Sequence, residues 1–357
     1  MVKYLVLAGK LLDRAFAAVR AGMLLARPSD VHTLRPGSCA NTAEEVRGAD
    51  LSVLEGLISP SDECLLELFV PGRGERRTLR GVEFRVCPEE LPRGAFLELS
   101  PRILMFSPAQ YYLLKCRELT SLIDRVTLGM ELCGTYAHNL PGHADLPCTF
   151  FVGQALPVEA LRAYLARAKG LYGVKAARAA AELVLDNSYS PMETIVALEQ
   201  CLPLELGGRG YPTAELNTEI CVPEHLRHLV DRDRFKPDIY WPGTDVEYEG
   251  FVHNSAAAVE ADKARLADIQ ALGIQVIPAT AFTMRTSERA ELLGRQIGES
   301  LVAHGNTDLR RRLRVLEDAD LMHERALLHG RLMAPLRARG AFGNGCALNS
   351  GSFEALG

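Results

Sequence analysis

The segment from residue 236 to residue 249 constrains the fold more than any other part of the sequence. Two short runs rich in aromatic and β-branched residues are separated by Pro242 and Gly243, which is the pattern of a β-hairpin with a two-residue loop. A Pro-Gly loop favours a type II turn, which matches the twist of paired strands poorly. A pairing register shifted by one residue is therefore an alternative. The loop predicts four opposed pairs: Trp241 with Thr244, Tyr240 with Asp245, Ile239 with Val246, and Asp238 with Glu247.

This predicted pairing brings acidic side chains together. Asp238 and Glu247 would lie directly opposite each other, with Cβ atoms roughly 4.5–5.5 Å apart. Glu249 follows two residues later, so the strand period places it on the same face. Opposed carboxylates destabilise a sheet unless a cation lies between them, and oxygen ligands at this density suit Mg²⁺ or Mn²⁺. An exposed hairpin whose carboxylates face water is the alternative.

The sequence around the hairpin predicts an α/β fold. Its predicted elements follow the order helix, three strands, helix, strand and helix, which is typical of a mixed sheet flanked by helices. The predicted helices cover residues 190–201, 255–272 and 287–303, and the predicted strands cover residues 216–222, 236–241, 245–250 and 274–279.

Length and charge predict more than one domain. The chain has 357 residues and a net charge of −5, and residues 185–285 carry eight basic and 16 acidic residues. We expect a mostly helical α+β region over residues 1–184, with helices at 107–132, 158–168 and 174–185. The α/β domain would then span residues 185–305, and a charged helix with a loose tail would span 306–357.

Apolar runs and cysteines limit the compartment. No apolar run is long enough for a transmembrane helix, and the apolar start of the chain is cut short by Lys10 and Asp13, so we predict neither a membrane span nor a signal peptide. An amphipathic helix is expected over that start. The nine cysteines are scattered and form no Cys-x-x-Cys pair, which favours a reducing cytoplasm.

The motifs of residues 190–280 also occur in a fixed order. They are Ser190-Pro191-Met192-Glu193, Lys236-Pro237-Asp238, Glu247-Tyr248-Glu249-Gly250 with His253, Asp262 with Arg265, and Gly273 to Thr280. This order resembles the PD-(D/E)XK nuclease superfamily, and within it the very-short-patch-repair-like endonuclease domains of bacteria. Two residues depart from the pattern. Glu249 stands where the superfamily usually has lysine, and Pro278 stands where arginine is common.

The resemblance implies a restriction-endonuclease-like fold and a role for each matched residue. Asp238 and Glu247 would hold Mg²⁺ or Mn²⁺, and Glu249 would complete the coordination or hold a second ion. His253 would act as a general base or bind the scissile phosphate, although a packing histidine is an equal alternative. Lys263 and Arg265 would contact the DNA backbone, although Arg265 with Asp262 could be a simple surface pair.

Glu193 has two competing interpretations. In the related domains, the glutamate of this helix points toward the metal, which makes Glu193 a further candidate catalytic residue. Ser190, Pro191 and Glu193 also match a helix N-terminus with a capping box, which alone would account for all three residues.

Three weaker patterns stay open. Arg76 and Arg77 belong to a basic cluster that could contact phosphates or be a solvated turn. Cys133, His138, His143 and Cys148 could bind zinc or lie in an ordinary loop. Ser107-Pro108 and the run from Gly173 to Arg178 faintly resemble antitoxin regulators of the AbiEi type.

The sequence therefore predicts a metal-dependent nuclease that hydrolyses DNA phosphodiester bonds. The alternative is a non-catalytic DNA-binding or antitoxin-like transcriptional regulator that keeps the nuclease fold. In that case a toxin or another protein would be a partner. The oligomeric state stays open.

Overall fold

The computed structural model describes residues 3–31, 33–58, 66–87, 90–138, 140, 148–249 and 256–338. Two compact units divide the chain. The first unit contains the described residues up to 133, residue 140 and residues 152–184. The second unit contains residues 134–138, 148–151, 185–249 and 256–338. No helix in the described part of the chain is long and apolar enough to cross a membrane.

The first unit combines a mixed sheet with helices. Its strands are β1 (Leu5–Leu7), β2 (Arg27–Pro28), β3 (Leu66–Val70), β4 (Val82–Val86), β5 (Phe96–Ser100) and β6 (Ile103–Phe106). Its α-helices are α1 (Gly9–Arg20), α2 (Ala43–Arg47), α3 (Pro108–Glu118), α4 (Leu122–Leu132), α5 (Val158–Arg167) and α6 (Val174–Ala181). The sheet order is β2-β5-β6-β1-β3-β4, with β1 parallel to β6 and β3 parallel to β4.

Two expectations for the first unit need correction. The start of the chain is not helical throughout, because Leu5–Leu7 forms a fully buried strand between two others and the helix begins only at Gly9. The helix predicted over residues 107–132 is two helices. The hydroxyl of Ser121 accepts a hydrogen bond from the backbone N–H of Asp124 at 3.4 Å, and this cap starts a new helix.

The second unit contains the predicted hairpin. Its strands are β7 (Tyr136–Ala137), β8 (Thr149–Phe150), β9 (Glu215–Leu216), β10 (Ile220–Cys221), β11 (Arg234–Phe235), β12 (Ile239–Trp241), β13 (Thr244–Glu249) and β14 (Gln275–Thr280). Its α-helices are α7 (Pro191–Cys201), α8 (Ala256–Ala271), α9 (Ser287–Ala303), α10 (Leu309–Val315) and α11 (Ala319–Ala338).

The central sheet of this unit has the order β14-β13-β12-β9. Strand β13 is antiparallel to β12 and parallel to β14, so the sheet is mixed, and α8 and α9 pack against it. The predicted α/β class with a mixed sheet flanked by helices is confirmed. The strand predicted over residues 216–222 is wrong in detail, because β9 pairs with β12 while β10 pairs with β11.

The predicted hairpin register is confirmed for the three pairs that form the ladder. Ile239 pairs with Val246, Tyr240 with Asp245, and Trp241 with Thr244. Gly243 has a φ of 83°, which the second loop position of a type II turn requires, and a Cβ there would lie 2.5 Å from the ring of His304. The indole N–H of Trp241 donates to the Pro212 carbonyl at 2.7 Å and fixes the hairpin against the preceding loop.

The two faces of β13 differ in chemistry. On one face, the hydroxyl of Thr244 lies 2.7 Å from that of Ser300 on α9. Asp245 and Glu247 lie on the other face because side chains alternate along a strand. On the α8 side of this unit, Ile269 of α8 belongs to an apolar cluster that also receives the partly buried side chain of Tyr240. The acidic residues therefore lie beside an apolar cluster rather than on an open surface.

Candidate functional site

Four carboxyl groups of the second unit form the candidate site, and we call them the carboxylate cluster. Its members are Glu193 of α7, Asp238 at the start of the hairpin, and Asp245 and Glu247 of β13. Glu193, Asp245 and Glu247 are at most 8% exposed, and Asp238 is partly buried. Strand alternation puts Asp245 and Glu247 on one face of β13, and Asp238 reaches the backbone of Tyr248 beside them. Mutual repulsion among the four groups contributes to the raised pKa values described below.

The fourth predicted pair, Asp238 with Glu247, lies beyond the end of the hairpin ladder, and the two carboxylates still repel each other. The hairpin ladder ends at Ile239 and Val246, and beyond it an oxygen of the Asp238 carboxylate accepts the backbone N–H of Tyr248 at 2.8 Å. The carboxylate of Asp238 thus accepts a backbone N–H in place of a main-chain carbonyl, and this bond holds the side chain at the end of the strand pair. Burial, together with the nearby Glu193 and Glu247 carboxylates, raises the pKa of Asp238 well above its usual value.

Asp245 is the member that sequence analysis missed as a site residue. It is fully buried, and among the described residues no donor pairs with its two oxygens, although a protonated Asp245 can share a hydrogen bond with the carboxylate of Glu247. Burial and the adjacent Glu247 raise the pKa of Asp245 to about 9, so the carboxyl is protonated at neutral pH. The signal was present in the sequence, because Asp245 precedes Glu247 by two residues and therefore shares its face of the strand.

Glu193 reaches the cluster from the first turn of α7. Its backbone N–H donates to the Ser190 hydroxyl at 3.1 Å, while its carboxylate accepts the backbone N–H of Tyr189 at 2.8 Å and the side-chain amide of Asn217 at 2.6 Å. Only the serine half of the capping box is therefore formed. Burial raises the pKa of Glu193 to about 7 despite these hydrogen bonds, which places its proton exchange near neutral pH.

Arg265 of α8 provides a positive charge to the cluster. Its two terminal nitrogens donate to the two oxygens of Glu247 at 2.9 and 2.7 Å, a bidentate ion pair. The structure thus places Arg265 on a carboxylate, where the resemblance implied a phosphate contact. Burial and mutual repulsion raise the pKa values of Glu193, Asp238 and Asp245, and this single guanidinium does not reverse the shifts.

The other predicted site residues are exposed or lie outside the described residues. Glu249 is exposed at the end of β13, next to Thr280 of β14, and Lys263 is exposed on α8 with Glu260 at 3.8 Å. Arg76 and Arg77 are exposed and belong to the first unit. His253, the side chain of Asp262 and His143 of the possible zinc set lie outside the described part of the chain.

The donor chemistry suits a hard divalent ion, but the ligand atoms are not yet gathered around one position. All candidate ligands are carboxylate oxygens, and among the described residues no donor pairs with the two oxygens of Asp245. Within the described ranges, no three His, Cys, Asp or Glu side chains are arranged to hold a metal. An ion that used Glu247 would therefore have to displace the guanidinium of Arg265.

Comparison with known proteins adds no assignment. The chain matches no protein-family model, no curated protein and no solved structure.

Proposed function

We propose that the second unit hydrolyses DNA phosphodiester bonds with the help of a bound Mg²⁺ or Mn²⁺ ion. The observation that carries this proposal is the carboxylate cluster, in which buried acidic groups outnumber the adjacent guanidinium. Such an excess of buried negative charge is unfavourable in a structural core. Carboxyl groups with strongly shifted pKa values concentrate at functional sites. A divalent cation would supply the missing positive charge.

Asp238, Asp245 and Glu247 are the residues that would hold the ion. When bound, the ion would polarise the phosphate and lower the pKa of a water ligand. Asp245 would have to lose its proton, so ion binding should release protons and strengthen as the pH rises.

The remaining side chains would accept the proton of the attacking water and bind the phosphate oxygens. Glu193 has a pKa near 7, so it can accept a proton from an attacking water at neutral pH. Arg265, once released from Glu247, and Lys263 are both on α8 and would donate to phosphate oxygens. Glu249 lies at the exposed end of β13 and stands where related nucleases have their lysine.

A second function is favoured by a different observation. The bidentate pair of Arg265 with Glu247 satisfies that carboxylate without an ion. A non-catalytic DNA-binding or antitoxin-like regulator would keep this pair permanently, and a toxin or another protein would then be its partner. Both functions suit a reducing cytoplasm, which we propose because the nine cysteines are scattered along the sequence and form no Cys-x-x-Cys pair.

A cleavage assay separates the two functions. Purified protein with Mn²⁺ or Mg²⁺ should cleave single-stranded, duplex or branched DNA, and EDTA should stop it. Glu247→Gln should reduce cleavage to background and still bind DNA, whereas Glu224→Gln, an exposed control in the same unit, should behave like the wild type. The absence of cleavage on all three substrates, with DNA binding intact in Glu247→Gln, would favour the regulator.

Glu249→Lys refines the assignment. This change installs the usual residue of the superfamily, so cleavage should persist or increase if Glu249 only occupies the position of the water activator. Cleavage should disappear if Glu249 is itself a metal ligand, because a cation would then lie beside the ion.

A further inference from the structure

A cavity of about 500 Å³ in the first unit has strongly basic walls. It is formed by the loop between α5 and α6 together with residues of α3 and α4. Twelve residues line it, and none of these twelve is acidic. The cationic residues among them are Arg117, Arg125, Lys169, Lys175 and Arg178.

Two glycines shape the loop. Gly170 and Gly173 have φ values of 76° and 79°, in the left-handed region that favours glycine. Arg117 packs against the second glycine, since a Cβ on Gly173 would lie 2.8 Å from its Cγ, and its Nε donates to the Tyr172 carbonyl at 2.9 Å. The loop is therefore held against α3 in a fixed conformation.

The arginines of the wall are positioned by main-chain carbonyls. The Nε of Arg125 donates to the Cys116 carbonyl at 2.9 Å, and the Nε of Arg178 donates to the Leu165 carbonyl at 2.9 Å. These carbonyls lie in the last turns of α3 and α5, where the partial negative charge of a helix C-terminus offsets part of a guanidinium's charge but not all of it. Lys169 and Lys175 add two more charges at exposed positions.

The first turn of α6 adds to the positive potential. Gly173 is the N-cap of this helix, and no side chain caps the backbone N–H groups that follow it. Uncapped N–H groups at a helix N-terminus favour anions, and here they accompany five cationic side chains.

We propose that this cavity binds a phosphate group, carried either by a small phosphate-containing molecule or by the backbone of a nucleic-acid strand. Like charges gathered around one cavity repel each other, and a multivalent anion removes that repulsion. The chemistry favours phosphate over a single carboxylate because five cations exceed what one negative charge can neutralise. The proposal does not depend on the metal site, because every lining residue belongs to the first unit.

Calorimetric titration in EDTA tests this proposal without any contribution from divalent ions. The probes are inorganic pyrophosphate and a single-stranded DNA oligonucleotide of about 12 nucleotides, and the variants are Lys175→Glu and Lys10→Glu. Both lysines are exposed helical residues of the first unit, so both variants should fold and both change the net charge equally. Circular dichroism melting checks folding.

Pyrophosphate should bind the wild type and Lys10→Glu with the same Kd, and Lys175→Glu should weaken binding at least about tenfold, equivalent to roughly 1.4 kcal/mol. If only the oligonucleotide separates the two variants, the proposal holds and the strand backbone is the source of the phosphate. The proposal is overturned if neither probe binds the wild type, or if both variants weaken binding equally.

Discussion

Two groups of buried charges in the second unit have opposite balance. In the carboxylate cluster, four acidic side chains are accompanied by one guanidinium, that of Arg265, which pairs with Glu247. Around Glu291 of α9 the ratio is reversed, because Arg209 and Arg325 approach its carboxylate at 2.9 and 2.8 Å and Arg295 lies at 3.4 Å. We call this second group the arginine cluster.

The balance of charge decides the proton affinity of each carboxylate. Burial alone would raise the pKa of Glu291, but the hydrogen bonds from Arg325 and Arg209 outweigh it and lower the pKa to about 2. In the carboxylate cluster, burial and like charges act together and raise the pKa of Asp245 to about 9. The arginine cluster thus favours the ionised form of its carboxylate, although Nε of Arg209 and Nη1 of Arg325 have no hydrogen-bond partner among the described residues. The carboxylate cluster instead favours bound protons or an added cation.

Removing the acid of the arginine cluster should have the largest effect on stability. Glu291→Gln leaves buried guanidinium groups without their counter-charge and should lower the free energy of unfolding by about 3–5 kcal/mol at pH 7, measured by urea denaturation. The difference from the wild type should shrink as the pH falls from about 4.5 toward 2, since a lowered folded-state pKa stabilises only above that range. Glu299→Gln, an exposed change on the same helix, should stay within about 0.5 kcal/mol of the wild type.

Neutralising Asp245 of the carboxylate cluster should instead raise the free energy of unfolding. Asp245 has a raised folded-state pKa, so the folded state binds more protons than the unfolded state and loses stability as the pH rises from about 4 to about 9. Asp245→Asn should therefore raise the free energy of unfolding by roughly 2 kcal/mol at pH 8 and by less at pH 5. A gain independent of pH, or one matched by the exposed change Asp231→Asn, would contradict this prediction.

Removing the guanidinium of the carboxylate cluster should lower the free energy of unfolding less than breaking the ion pairs around Glu291. Arg265 is partly exposed, so its pair with Glu247 is partly screened by water. Arg265→Gln should cost about 1.5 kcal/mol at pH 8 and less at pH 5, where more of the neighbouring carboxyls are protonated. Lys263→Gln on the same helix is the control, because the ion pair of Lys263 is long and exposed. Equal losses at both pH values would show that packing, not charge, explains the effect.

The smallest expected effect concerns the helix start that positions Glu193. Ser190→Ala removes the hydroxyl that accepts the Glu193 backbone N–H and should cost about 1 kcal/mol in thermal or chemical unfolding. Thr286→Ala should cost less, because Thr286 precedes α9 without a capping hydrogen bond from its side chain. If the two changes cost the same, the Ser190 cap does not stabilise α7.

The contrast between local and long-range contacts also explains what could be predicted from the sequence. The hairpin register follows from a two-residue loop, and the helix over residues 287–303 follows from periodicity, so both were predicted correctly. The buried strand Leu5–Leu7 depends on partners about 60 and 100 residues away, and it was missed.

Long-range packing likewise decides the carboxylate cluster. Local spacing indicated that Asp238 and Glu247 share a face. The burial of Asp245 and the pairing of Arg265 with Glu247 depend on how α8 packs beside the sheet, and residue spacing carries no information about that packing. Asp238, Glu247 and Glu193 were therefore predictable as site residues, but the membership of Asp245 and the charge balance of the cluster were not.

A calorimetric titration with Mn²⁺ at pH 8 tests most directly whether the carboxylate cluster is an ion site. The wild type should bind one ion per chain with release of protons, and its melting temperature should rise with the ion. The double variant Asp238→Asn, Glu247→Gln should show neither response, whereas Glu291→Gln, if folded at the assay temperature, should keep the binding. Identical isotherms for the wild type and the double variant, or no binding by the wild type, would contradict the account.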